Sequence, residues 1–506
     1  MSKRTATELQ TASSSENKKP FRQEKTVQDG GMGEFEDGWE DEFESDEEVV
    51  QGNDDDMEVD EDVLPPIEES EEKPQAPDVF IPGVHQLGKD EILEADDSVY
   101  IMRHPLNVDW PCLSFDILRD SLGDERQRYP ATAYVVTGTQ ADVAKNNSLR
   151  VYKMSSLHKT QTNEDSDSED EDDETLDEDP VLEYRSVPHL GGVNRVRAQP
   201  LPTSSPLPPV SQPYYVASWA ETGKVHIWDV RPLIEALDVP GYTIPQQRTN
   251  QPAFTINSHG RAEGFAMDWA SSGNSNPSAL RLLTGDCDSK IYLTTTTPSG
   301  FNALSSPFTS HTGSVEDLQW SPSEATVFAS SSVDQSVQIW DVRSKGRKSV
   351  AGIEKAHESD VNVISWNRAT SYLLLSGGDD GGIRVWDLRN VKKKGTTAPD
   401  PTPVAAFNWH RGPITAIEWH PTEDSIFAAS GSDDQVTLWD LAVEQDDEES
   451  GAMNDTPEGG NDVPPQLLFV HQGQKDIKEV HWHPQIPGAV ISTAYDGFNV
   501  FKTISV

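Results

Sequence analysis

Short runs in which apolar and polar residues alternate recur through the second half of the chain. "VHIWDV" begins at Val225, "VQIWDV" at Val337, "IRVWDL" at Ile383 and "VTLWDL" at Val436. Similar runs lie upstream, "VEDLQWSP" at Val315, "VNVISWN" at Val361 and "ITAIEWHP" at Ile414, with a further run such as "VFASSS", "YLLLSGG" or "IFAASGS" in between. Period-two alternation of β-branched and aromatic residues, bounded by Gly, Ser, Asp and Pro, predicts short antiparallel strands. Trp340, Trp386 and Trp439 follow one another at 46 and 53 residues, which fits four strands per unit.

This pattern resembles the WD-repeat family, whose units are the blades of a β-propeller. With that template, "LRVYK" at Leu149, "KIYLT" at Lys290 and "FNVFK" at Phe498 fall at the Trp-Asp position, where Tyr152, Tyr292 and Phe501 stand for Trp. "VNRVRA", "FAMDWA" and "IKEVHW" fall at the first strand of their units. The resemblance therefore implies an all-β fold, a seven-bladed propeller over residues 112–506. A ring needs a strand to close it, because an open one leaves an unpaired edge. "CLSFDIL", residues 112–118, has the alternation of an outer strand and is expected to complete the seventh blade.

Each regular repeat sets a His before its first strand and an Asp six residues before its Trp: His311, Asp334 and Trp340; His357, Asp380 and Trp386; His410, Asp433 and Trp439. With Ser332, Ser376 and Ser430 between them they imitate three hydrolase triads. Recurrence in unit after unit points instead to buried hydrogen-bond chains that satisfy polar groups inside packed sheets. His481 and His483 in "HWHP" share one strand face but have no third ligand at a useful spacing. No Gly-rich phosphate loop or paired nucleophile occurs, so neither catalysis nor a cofactor is expected. Cys112 and Cys287 are far apart in sequence, and no apolar leader or membrane-length run is present. A reducing compartment without disulfides follows.

Charge changes the picture. Residues 34–72, 164–179 and 444–462 contain 21, 12 and 8 acidic residues and no Lys or Arg, and supply 41 of the 47 net negative charges. Such composition cannot offset ordering entropy, so residues 1–85 are expected to form a disordered acidic arm, and 161–180 and 444–463 to be acidic loops. These tracts repel nucleic acid and anionic membranes and attract basic partners. Basic clusters at Arg343, Lys345, Arg347 and Lys348 and at Lys392 to Lys394 are expected on exposed connections. Lys3-Arg4 and Lys18-Lys19 form a loose basic signal near the start, and Ser45, Ser166 and Ser168 have the acidic downstream context of phosphorylation sites.

The repeat pattern puts both internal acidic runs between third and fourth strands, of blades one and six, on either side of blade seven. There "YIMRHPLNVDWPCLSFDIL" and "WDLAVEQDDEES…NDVPPQLLFVHQGQ" are similar to histone-binding WD-repeat proteins, in which a helix and an acidic Pro-Pro-ended loop grip a basic helix. In this chain residues 86–111 would be a short helical or extended segment, because Pro105 shortens any helix before Trp110. The resemblance implies a partner groove walled by Val99, Tyr100, Ile101 and Met102, facing Asp446, Asp447, Glu448 and Glu449 ahead of Pro464 and Pro465. The loop carrying Glu169, Asp170, Glu171, Asp172, Asp173 and Glu174 would shield the bound charge. Taken with the acidic arm, the chain resembles the glutamate-rich WD-repeat ribosome-assembly family. This implies a monomeric nucleolar chaperone whose client is a basic protein, large-subunit ribosomal protein three, with histones as an alternative client. Trp-Asp-x-Arg at Arg231, Arg343 and Arg389 resembles the docking signature of cullin ubiquitin-ligase receptors, which implies a ligase adaptor as an alternative partner.

Overall fold

The computed structural model describes residues 95–160, 179–202, 207–270, 280–393, 401–444 and 463–506. Seven four-stranded antiparallel sheets follow one another, each packing its inner strand against the next. Blade one holds Phe115–Leu118, Ala131–Gly138, Ser148–Leu157 and Val181–Pro188 from the inside outward. The last blade holds Glu479–Trp482, Ala489–Thr493 and Gly497–Thr503, and its fourth, outer strand comes from far upstream. The all-β seven-bladed propeller read from the repeats is the fold observed.

The closing strand is not the one expected. "CLSFDIL" contributes Phe115–Leu118 as the inner strand of blade one, whereas Tyr100–Asn107 pairs antiparallel with Gly497–Thr503, Arg103 opposite Phe501 and Asn107 opposite Gly497. Pro105 breaks the appearance of a strand in "YIMRHPLN". An outermost strand has one edge facing solvent, however, and there a missing N–H costs no ladder bond. The observed burial favours this arrangement: Phe115 and Leu118 are fully enclosed, as an inner strand requires, while Pro105 is exposed. Among the described residues before Trp110, Tyr100–Asn107 is strand and one short 3-10 turn, Asp97–Val99, precedes it; the rest of the expected segment, residues 86–94, lies outside the described residues.

Side chains stitch the blades around the axis. Asp116 of blade one accepts from the Ala198 N–H of blade two (2.7 Å), Asp268 from Trp320 (2.7 Å), Asp317 from Ile364 (3.1 Å), the Ser365 hydroxyl from Trp419 (3.1 Å) and Glu418 from Trp482 (3.0 Å). Glu479 of the last blade accepts from Phe115 of the first (2.8 Å), and Arg195 joins blade two to blade three by donating to the Phe265 carbonyl (2.7 Å). Close approach helps: a side chain at Gly138 would collide with Val193, and one at Gly377 with Ile414.

Candidate functional site

The triad look-alikes are framework. His311 bonds Asp334 (2.9 Å) through Nδ1 and the Ser330 hydroxyl (2.6 Å) through Nε2, and Trp340 Nε1 donates to the same hydroxyl (2.8 Å). His357, Asp380, Ser376 and Trp386 repeat the chain. Two of the expected serines are displaced. Ser330 takes the place assigned to Ser332, and in blade six Thr437 replaces Ser430, accepting from Trp439 (2.8 Å) and bonding His410 (2.9 Å). The position that corresponds to Ser330 and Ser376 is Ala429 there, and Thr437 lies directly opposite it on the next strand. Each hydroxyl is enclosed and occupied by a Trp and a His, so none is presented to a substrate. His481 and His483 are likewise engaged within the protein, His481 by Glu418 (2.9 Å) and His483 by the Gln485 and Ile486 amides. Among the described residues no group of three His, Cys, Asp or Glu is placed to hold a metal ion. Both cysteines are free, Cys112 buried and Cys287 exposed.

Sequence reading missed a charged cluster at the ring's inner wall. Glu479 receives Arg195 (2.8 Å) and Arg197 (2.7 Å) from blade two and lies beside His481, which also meets Glu418 of blade six. Burial opposes the charge on both Glu479 and His481. Arg197, His481 and Arg195 nonetheless hold the Glu479 carboxyl well below its usual range, and Glu418 and Glu479 push His481 up to about 10. The signal was present in "VNRVRA" and "IKEVHW", whose alternation puts Arg195 with Arg197, and Glu479 with His481, on single strand faces.

Of the expected groove residues, Val99, Tyr100, Ile101 and Met102 lie at the start of the closing strand, and Pro464 and Pro465 precede the outer strand of blade six. Asp96 caps the preceding turn by accepting from the Ser98 N–H (3.0 Å). Tyr100 then turns inward and meets the outer strand of blade six, Leu467–His471: its hydroxyl bonds His471 (2.8 Å) and its ring meets Phe469 edge-on at 5.3 Å. His471 is buried and its pKa is pushed down to about 3, so it is neutral; Asn499 donates to Nε2 (3.1 Å), leaving Nδ1 to donate to Tyr100. Met102 has 0% exposure. Tyr100 and Met102 are therefore core rather than open wall, while Val99 and Ile101 remain half-buried beside Ile504, which is 65% exposed.

Both acidic insertions depart from this strand's flanks. On one side the Thr160 N–H donates to the Ile101 carbonyl (3.0 Å) and His104 bonds the His158 carbonyl (2.8 Å), immediately before the run that carries Glu169 to Glu174. On the other, Gln466 donates to the Val443 carbonyl (2.9 Å) and Leu467 N–H to the Pro464 carbonyl (2.9 Å), tying together the base of the run that carries Asp446 to Glu449. Pro464 and exposed Pro465 thus lead directly into the strand that touches Tyr100. The acidic side chains themselves, and Ser45, Ser166 and Ser168, lie outside the described residues.

The three arginines of the docking pattern divide. Arg343 and Arg389 are 70% and 64% exposed, and each folds back onto its own Asp341 or Asp387 at 2.6 Å. Arg231 departs from the expectation of a shared docking surface: it is buried at the start of helix Arg231–Asp238, donating to the Pro208 carbonyl (2.5 Å) and Glu235 (2.9 Å).

Residues 90–158 match the family model of histone-binding protein RBBP4 and its counterpart in the CAF1 complex, and residues 237–439 match that of the EIPR1 beta-propeller. The chain is 48% identical over 478 residues to ribosome assembly protein rrb1 of Schizosaccharomyces pombe, covering 94% of each chain. It is 45% identical to glutamate-rich WD repeat-containing protein 1 of Dictyostelium discoideum, over 92% of this chain and 93% of the relative. It is 46% identical to protein HEAT STRESS TOLERANT DWD 1 of Arabidopsis thaliana, over 86% of this chain and 94% of the relative.

Proposed function

Since the chain belongs to the family of ribosome assembly protein rrb1 and glutamate-rich WD repeat-containing protein 1, we propose that it acts in ribosome biogenesis as a non-enzymatic carrier. Its client is a basic, newly made protein of the large subunit, large-subunit ribosomal protein three, shielded until it reaches ribosomal RNA. The observation that supports this reading is the departure of two acidic insertions from opposite flanks of one closing strand, through Thr160 on one side and Pro464 to Phe469 on the other. Such a client carries dense positive charge meant for phosphate. Carboxylates in these numbers neutralise it through many contacts, each about 0–1 kcal/mol, that exchange readily for RNA. Half-buried Val99 and Ile101 with exposed Ile504 give the contact a fixed apolar element. The carrier works as a monomer in the nucleus and nucleolus, and phosphate on Ser45, Ser166 or Ser168 would deepen the negative charge.

Equilibrium binding of purified client tests this: deleting residues 445–462 weakens it at least tenfold, whereas deleting residues 1–30 leaves it within twofold, and the affinity falls steeply with salt. Equal affinities for the two deletions would remove the assignment. A histone as client is the second reading, favoured by the histone-binding match over residues 90–158; capture of core histones in the absence of ribosomal proteins would select it. The ligase-adaptor reading is weakened by the self-paired Arg343 and Arg389 and the buried Arg231.

A further inference from the structure

The ring also carries the opposite charge. Blade four's third-to-fourth-strand connection holds Lys345, Arg347 and Lys348, and blade five's holds Lys392 and Lys393; no Asp or Glu occurs from Val342 to Ile353 or from Leu388 to Lys393. The fold joins these connections. Lys393 forms a β-bridge with Ala351 and the Gly352 N–H donates to the Lys392 carbonyl (3.2 Å), so that blade five's connection adds to the outer edge of blade four. Adjacent strands lie about 4.8 Å apart, so two basic segments become one strip. Arg347 donates to the Ser306 carbonyl (2.5 Å) with its guanidinium over the Phe308 ring, and Lys348 donates to the Thr309 carbonyl. Carbonyl partners hold these side chains in place without cancelling their charge. Arg343 differs, being matched by Asp341. In a ring of seven, blade four is three blades from both blade seven and blade one, so the strip lies across the ring from the closing strand.

We propose that this edge binds the phosphate backbone of RNA, so that a client held at the closing strand and the RNA that receives it occupy opposite sides of one carrier. The proposal rests on the carrier reading above. The strip offers repeated cations but, among its described large hydrophobics, exposes only Val350, so it lacks the apolar pocket that anchors an acidic peptide. Its described residues present no exposed aromatic ring for base stacking, and the contact is therefore indifferent to sequence. A chain of net charge −47 repels RNA overall, which makes the binding weak and confined to low salt.

Fluorescence anisotropy of a labelled single-stranded RNA of about 20 nucleotides, titrated with the full chain, tests it. Binding is expected at about 50 mM salt, with a log–log salt slope of about −2 to −3 from three or four phosphate contacts. The triple variant Lys345→Glu, Lys348→Glu, Lys393→Glu loses at least tenfold in affinity, keeps its melting temperature within 2 °C or so, and binds client as before. Failure of the intact chain to bind RNA, or equal binding by the variant, overturns the proposal, as does displacement of RNA by polyglutamate as effective as that by unlabelled RNA. Failure of the intact chain to bind client while it binds RNA, and the variant does not, would instead count against the carrier reading alone.

Discussion

At the scale of single residues, polar groups in this fold are kept where every partner is present, and removing one should be costly. Ser376 accepts from Trp386 and bonds His357 in an enclosed site. Ser376→Ala leaves both ring nitrogens without it and should cost about 1–3 kcal/mol, read from the denaturant midpoint. Glu479→Gln removes the charge that Arg195, Arg197 and His481 share, and a loss of about 3–5 kcal/mol is expected. His481 adds a pH dependence. Its folded pKa is about 10 against 6.5 for the free side chain, so its stabilisation is complete below pH 6.5 and is lost as pH rises through 10. Unfolding midpoints should fall across that window and fall less steeply in His481→Gln. These roles were only partly legible. The His-Asp-Trp spacing identified the framework, but which hydroxyl completes each chain depends on the residue across the strand, as the exchange of Ala429 and Thr437 shows. The Glu479 cluster joins blades two, six and seven, a proximity that no local pattern contains.

At the scale of elements, period-two alternation located the strands because each blade is built from neighbours in sequence. It misplaced the one strand whose partner is remote. Tyr100–Asn107 carries a Pro, and its pairing with Gly497–Thr503 is fixed only once the ring is complete. The expected site was affected in the same way: Tyr100 and Met102 were legible as apolar, but whether they face a groove or the core depends on the strand being an edge of blade seven. Deleting residues 1–99 should therefore leave cooperative melting intact, whereas deleting 1–107 should abolish it. A closing strand at 112–118 would make the two deletions equivalent. Met102→Ala, which opens a cavity between blades seven and one, should cost about 2–5 kcal/mol.

At the scale of the whole molecule, charge was the most legible feature, because it depends on composition and on the position of the insertions in the repeat. Its distribution was less so. The basic strip of blades four and five emerges only when Lys393 pairs with Ala351, and the flanks of the closing strand become one place only through Thr160 and Phe469. The pairing of Arg103 with Phe501 has a consequence for the protein's own synthesis. Translation delivers Tyr100–Asn107 long before its partner, so the nascent chain must carry this segment unpaired, without the neighbours that bury Tyr100 and Met102, until Gly497–Thr503 leaves the exit tunnel. The ring thus stays open, and its first-made apolar strand in need of protection, until Gly497–Thr503 has been made.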